Sequence, residues 1–156
     1  MAHFVWSSDL DTGIDVIDDQ HRQIIAMING LEDARRGVSS TTVADIIEQL
    51  VDYTISHFAF EESLMEEAGY VFCRAHKRVH EVFIKRVESL RTRFREGENV
   101  TDELGQTLGR WLVSHIRSDD RNYVEVVNRN LKKITSDHSH EGWLARAKRT
   151  FFGRRG

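Results

Sequence analysis

The chain contains no proline and a single cysteine, Cys73, in 156 residues. Without proline nothing interrupts a helix from within, because proline removes a backbone donor and clashes with the preceding turn. One thiol excludes an internal disulfide, so a reducing, cytoplasmic setting is the expectation. No run of about 18 apolar residues occurs, so no membrane-spanning helix is expected. Residues 1–11 lack the basic cluster and apolar stretch of a secretory signal. An excess of positive charge is missing too, the net charge being -3. Of 22 basic and 25 acidic side chains, residues 137–156 hold five and two, so the remainder carries 17 and 23. An acidic body of that kind argues against nucleic acid as a partner. Strand-like alternation, internal repeats and low-complexity segments are absent as well.

What is present is helical. The length suits one domain with its own core. Ile24, Ile28 and Leu31 recur at helical spacing between a capping Asp18 and a terminating Gly37, predicting a first helix over 20–36. A Ser/Thr-rich stretch leads to a second helix over roughly 41–68, with Ile46, Leu50, Tyr53, Phe60 and Leu64 on its apolar positions and Gly69 at its end. A third is expected over about 72–96, with Val79, Phe83, Val87 and Leu90 in register, and a fourth over about 102–133, with Leu104, Leu108, Leu112 and Ile116. Short loops between long amphipathic helices make neighbours antiparallel. The expected fold is therefore all-α: an antiparallel up-down-up-down four-helix bundle over residues 1–135, with an N-terminal arm carrying Phe4, Trp6, Ile14 and Ile17. A basic amphipathic extension over 136–156 follows, with an extra helix near 139–152.

The histidines fall in a pattern. His21 opens the first helix, His57 and Glu61 lie four apart on the second, and His76 and His80 lie four apart on the third. Positions four apart share a helix face, so each pair aims at one point. His115 and Asp120 on the fourth helix are five apart, about 140° from coincidence in a regular helix. Both face one site only if the helix is widened there, as by a π-bulge, or bent near Ser118. Isolated helical histidines are mostly ordinary surface or core residues. Five of them with two carboxylates, drawn from all four helices, would be very costly to bury without a metal.

Seven ligands exceed the four of a closed zinc site. They suit two six-coordinate ions bridged by the two carboxylates and a solvent-derived oxygen, which leaves one coordination position open. Imidazole with carboxylate is compatible with iron, and manganese is tolerated by the same donors. The Glu-x-x-His motifs of carboxylate-rich diiron bundles are absent.

The stretches Trp6 with Gly13-Ile14-Asp15, Ile17-Asp18-Asp19-Gln20-His21, His57-Phe58-Ala59-Phe60-Glu61-Glu62, Gly69-Tyr70, His76-Lys77-Arg78-Val79-His80 and Trp111-Leu112 through His115 and Asp120 to Tyr123 resemble the hemerythrins, in particular single-domain bacterial ones. The resemblance covers about residues 4–130. It implies that His76, His80 and His115 bind one iron and His21 and His57 the other, with Glu61, Asp120 and an oxo or hydroxo group as bridges. It implies reversible dioxygen binding at the iron with two histidines, for storage, delivery or sensing, rather than enzymatic turnover. Ile24, Phe58, Trp111 and Leu112 are the implied lining of the dioxygen pocket, although each also reads as plain core. A diiron redox enzyme (oxidase, peroxidase or nitric oxide reductase) and iron storage are the alternatives.

Gln20 and Tyr123 are candidates for orienting the imidazoles. Glu62 points about 100° from Glu61 and is expected in solvent. Cys73 reads as an inert thiol, and His3, His138 and His140 as surface residues. The extension, with Trp143, Ala147 and Phe151 four apart among basic residues, reads either as a helix folded back on the bundle or as a docking element for a membrane surface or an oxygen-consuming enzyme.

Overall fold

The computed structural model describes residues 3–37, 42–136, 149 and 151–152. Helix α1 (Asp15–Arg35) starts three residues before the expected cap. Asp18 does not cap it. Its carboxylate turns back to accept hydrogen bonds from the Thr12 backbone N–H at 2.9 Å, the Thr12 hydroxyl at 2.7 Å and the Gly13 N–H at 3.1 Å. A first-turn carboxylate is favoured by the helix dipole, and here it also fastens the arm, which turns at Gly13 with φ +84°.

Helix α2 (Val43–Ala68) is capped by the Thr42 hydroxyl, which accepts from the Asp45 N–H at 3.2 Å. It stops at Gly69, whose left-handed φ of 70° lets Tyr70 N–H donate back to the Met65 carbonyl. Helices α3 (Cys73–Arg95) and α4 (Thr101–His115) follow. A π turn, Ile116–Asp120, then joins α4 to α5 (Arg121–Ser136) as one rod. Within that turn the Ser118 hydroxyl donates to the Ser114 carbonyl at 2.7 Å, a back-bond that bends helices. Helix α1 packs on α2 and α4, α2 on α3 and α5, and α3 on α4, giving a bundle of four rods. Among the described residues there is no strand, and no helix is long and apolar enough to cross a membrane.

The core has two apolar clusters. One holds Ile24, Ile28, Leu31, Leu50, Phe58, Phe83, Leu104, Leu108 and Leu112 among others. The other holds Ile14, Ile17, Phe60, Leu64, Met65, Tyr123 and Val127. Each such side chain contributes about 1.5–3 kcal/mol by leaving water. Along every rod the candidate ligands fall at an edge of these clusters: His21 between Ile17 and Ile24, Asp120 between Ile116 and Tyr123.

The arm is pinned at three points. The Phe4 backbone exchanges two hydrogen bonds with the Asn29 amide, at 2.8 and 2.9 Å. The Phe4 ring covers Gly109, where a Cβ would lie 2.3 Å from the ring. Asp9, in a 3-10 turn (Ser8–Leu10), is held by Arg117 at 2.6 Å through its carboxylate and by Arg121 at 2.6 Å through its carbonyl, so the arm braces the π turn. Of the C-terminal extension, Phe151 and Phe152 lie against the bundle, with ring centroids 6.2 and 5.9 Å from Phe60, and Phe152 is 5.1 Å from Tyr53. Trp143, His138 and His140 lie outside the described residues.

Candidate metal centre

All seven predicted ligands meet at one depth in the bundle. His21, His57, His80, Glu61 and Asp120 have no solvent exposure, and His115 and His76 retain 2% and 6%. They form two groups that share Glu61: His76, His80, His115, Asp120 and Glu61 in one, His21, His57 and Glu61 in the other. Every imidazole presents its Nε2. Glu61 turns Oε1 toward His76 at 2.9 Å and His80 at 3.2 Å, and Oε2 toward His57 at 3.2 Å and His21 at 3.8 Å. Asp120 divides in the same way, Oδ1 toward His115 at 3.1 Å and His76 at 3.2 Å, Oδ2 toward His21 at 3.3 Å.

The π turn makes this possible. It absorbs one extra residue, so His115 and Asp120 converge despite their five-residue spacing.

Several of these atoms are buried without a hydrogen-bond partner among the described residues: His21 Nδ1 and Nε2, His57 Nε2, Glu61 Oε2, both Asp120 oxygens, and the Tyr123 hydroxyl. Leaving that many polar atoms unsatisfied costs about 1–3 kcal/mol apiece. Their aim at common points is what a cation needs. The Nε2 atoms of His80 and His115 face each other at 3.0 Å, an approach favourable only with a proton or a cation between them.

The electrostatics agree. Burial opposes protonation of His21, His76 and His115, but the Asp120 and Glu61 carboxylates that face them outweigh it, raising them to about 9, 9 and 10. Burial also opposes ionisation of Glu61, yet the imidazoles of His115, His21, His57 and His76 around it hold it well below its ordinary value. Asp120 is likewise held low, against burial and the Glu61 charge, by His115, His21 and His76. His57 goes the other way, lowered by burial. In the metal-free chain, protons on imidazole stand where metal cations fit.

Outside the candidate ligands, Gln20, a candidate for orienting an imidazole, accepts through Oε1 from His57 Nδ1 at 2.8 Å. Glu62 corrects the sequence reading. It is half-buried rather than solvated, and its Oε2 accepts from His80 Nδ1 at 2.9 Å. The 100° offset from Glu61 takes it off the metal point but into reach of α3, a relation between helices that spacing within one helix could not reveal. Both bonds leave Nε2 as the free ligating nitrogen. Tyr123 packs its ring edge-on to His76 at 5.5 Å, and burial together with the Glu61 and Asp120 charges pushes its hydroxyl well above its ordinary value.

Phe58 stacks on His80 at 4.0 Å and Trp111 stacks on His115 at 4.3 Å, so two of the expected lining residues touch candidate ligands. Ile24 and Leu112 lie buried in the same cluster. Cys73 is half-buried, and burial raises its thiol. His3 is exposed and pairs with Asp33 at 2.8 Å.

A helical bundle whose four rods each deliver imidazole or carboxylate to one dry layer is a cation-binding bundle. Comparison with known proteins agrees. The Hemerythrin HHE cation binding domain matches residues 12–127. A bacteriohemerythrin of Pseudomonas aeruginosa is 56% identical over 153 residues, covering 98% of this chain and 100% of that protein. A bacteriohemerythrin of Stenotrophomonas maltophilia is 55% identical with the same coverage, and one of Methylococcus capsulatus is 31% identical, covering 79% of this chain and 95% of its own length. The crystal structure of wild-type hemerythrin superposes with a TM-score of 0.73 at 28% identity, covering 81% of this chain and 98% of that one. The chain belongs to the hemerythrin family.

Proposed function

We propose that the chain binds dioxygen reversibly at a non-haem diiron centre, as a carrier or sensor rather than an enzyme. His76, His80 and His115 would hold one iron, His21 and His57 the other, and Glu61 and Asp120 would bridge them. The observation that carries this reading is the division of each carboxylate, one oxygen facing each group of imidazoles. That is the donor set of a bridged pair with unequal ends. The kinship with bacteriohemerythrin and hemerythrin supports the same ligand chemistry.

When bound, the iron pair supplies the electrons that dioxygen binding borrows and returns. The residues of the chain do the rest. Five neutral imidazoles and only two carboxylates limit the negative charge on the metals, which disfavours oxidation beyond the ferric state. Phe58 and Trp111 wall the imidazoles with aromatic surface, and the buried cluster around them excludes water that would carry reduced oxygen away. Gln20 and Glu62 fix the imidazole tautomers.

The test is direct. The purified protein should hold two irons per chain. Reduced without air and exposed to dioxygen, it should gain a visible charge-transfer band that disappears on deoxygenation and returns over several cycles. His57→Ala and His80→Ala should each lose metal. Immediate irreversible oxidation, or sustained turnover of peroxide or nitric oxide, would count against carriage.

A further inference from the structure

Of the five exposed large hydrophobic side chains among the described residues, four lie on or just before α3, the fifth, Val5, being in the N-terminal arm. Val71 is 83% exposed, Phe72 64% and Val82 72%, with Val79 also at the surface. All of these but Val82 line a groove of about 710 Å³ between α3 and α5, together with Tyr70, Ala75, His76, Asn122 and Val126. His76 is also the most exposed of the seven candidate ligands. Through this groove a recess reaches an imidazole of the candidate centre from outside.

The edge of this patch is basic. Arg74, Arg78, Lys85 and Arg86 are exposed and form no ion pair with the described residues, whereas Lys77, Arg91, Arg93 and Arg95 on the same helix are paired with acidic partners. Counting by face at about 100° per residue, Arg74, Arg78 and Lys85 share one stripe of α3 next to Val82, Arg86 falls between Ala75 and Val79, and the exposed acids Glu81 and Glu88 flank the stripe on its far side. A small apolar patch beside a candidate metal ligand, edged on its α3 side by more free cations than acids, is complementary to a negatively charged partner. Interfaces of weak redox encounters are small, below about 1,200 Å².

We propose that the α3–α5 groove docks an acidic one-electron redox protein, which returns an oxidised centre to the ferrous state through the His76 imidazole. The proposal rests on the diiron reading above. With the iron pair bound, His76 would lie between the docked partner and the ion it holds, and each encounter would oxidise the partner's reduced group by one electron and reduce one ferric ion. No bond is made or broken, and two encounters restore the pair. Ligands closed off from solvent, such as His21 and His57, offer no comparable entry.

The test has two arms, with an acidic plant-type ferredoxin as the probe. In the first, oxidised ferredoxin is titrated into isotope-labelled protein, metal-free and iron-loaded. Amide shifts should concentrate over residues 70–86 and 122–126, fade at about 0.5 M salt as charges are screened, and be lost in the double variant Arg74→Glu/Arg78→Glu. In the second, ferric protein is mixed with reduced ferredoxin. The double variant should be reduced at least tenfold more slowly, while photoreduced flavin, a small reductant that needs no docking, should reduce both proteins equally. Shifts centred elsewhere, an unchanged ferredoxin rate, or binding of anionic vesicles in place of ferredoxin would overturn the proposal. Iron content is measured first, so a failed diiron reading is told apart from a failed docking site, which the metal-free titration reads independently.

Discussion

His80 donates its Nδ1 proton to Glu62 at 2.9 Å, which places a carboxylate behind an imidazole of the three-histidine group. The corresponding position behind His57 is taken by the neutral amide of Gln20. A charged acceptor makes its imidazole a stronger donor, and losing such a partner typically weakens metal affinity by about 10–100-fold. Glu62→Gln should keep the hydrogen bond and the fold but lower affinity for the metal at the three-histidine end. Glu62→Ala should lower it further. Competition with a chelator measures both, and equal affinity in wild type and Glu62→Ala would count against this role.

The metal-free chain should have its own pH profile. His21 and His76 are raised from 6.5 to about 9 and His115 to about 10. A group raised on folding adds stability that is fully present below its unfolded value and disappears as pH climbs through its folded one. The metal-free protein should therefore lose stability from about pH 6.5 up to pH 9–10. Glu61 and Asp120, lowered from 4.5 and 3.8, add stability that is lost as pH falls below those values. With metal bound the imidazoles are neutral ligands, and the alkaline decline should vanish. Thermal melts of both forms from pH 5 to about 9.5 check it. The same alkaline fall in both forms would refute the assignment.

The π turn offers a test by length. It takes up one residue more than a regular turn between His115 and Asp120. Deleting Ser118 should leave an ordinary helix with the two ligands four apart and metal content retained. Inserting an alanine after Ser118 should rotate α5 by about 100°, carry Asp120 off the site and abolish binding of the pair. Metal analysis with circular dichroism distinguishes lost ligation from lost helix.

Much of this was legible in the sequence. The apolar periodicity of Leu104, Leu108, Leu112 and Ile116 set the rods, and the four-residue spacings of His57/Glu61 and His76/His80 set the face on which ligands lie. The awkward five-residue spacing of His115 and Asp120 pointed to a widened turn because no regular helix satisfies it. What could not be read depends on contacts between elements distant along the chain. Glu62 finds His80 only when α2 and α3 lie side by side. Asp18 looked like a cap because its residue type favours that role, whereas the fold uses it to receive Thr12 and Gly13 from the arm. The hold of Arg117 and Arg121 on Asp9 spans more than a hundred residues and leaves no local pattern.

The layer of ligands lies along every rod at the margin of two separate oily regions. Across that layer the halves of the bundle are joined by imidazoles and carboxylates in place of interlocking hydrocarbon. Without ions, that layer would be a seam of buried, mutually charged groups through the waist of the molecule. Loading would therefore act as a rivet: folding of the two halves and capture of the cations would become one cooperative event, and withdrawing them would loosen helices from residue 14 to residue 127 together.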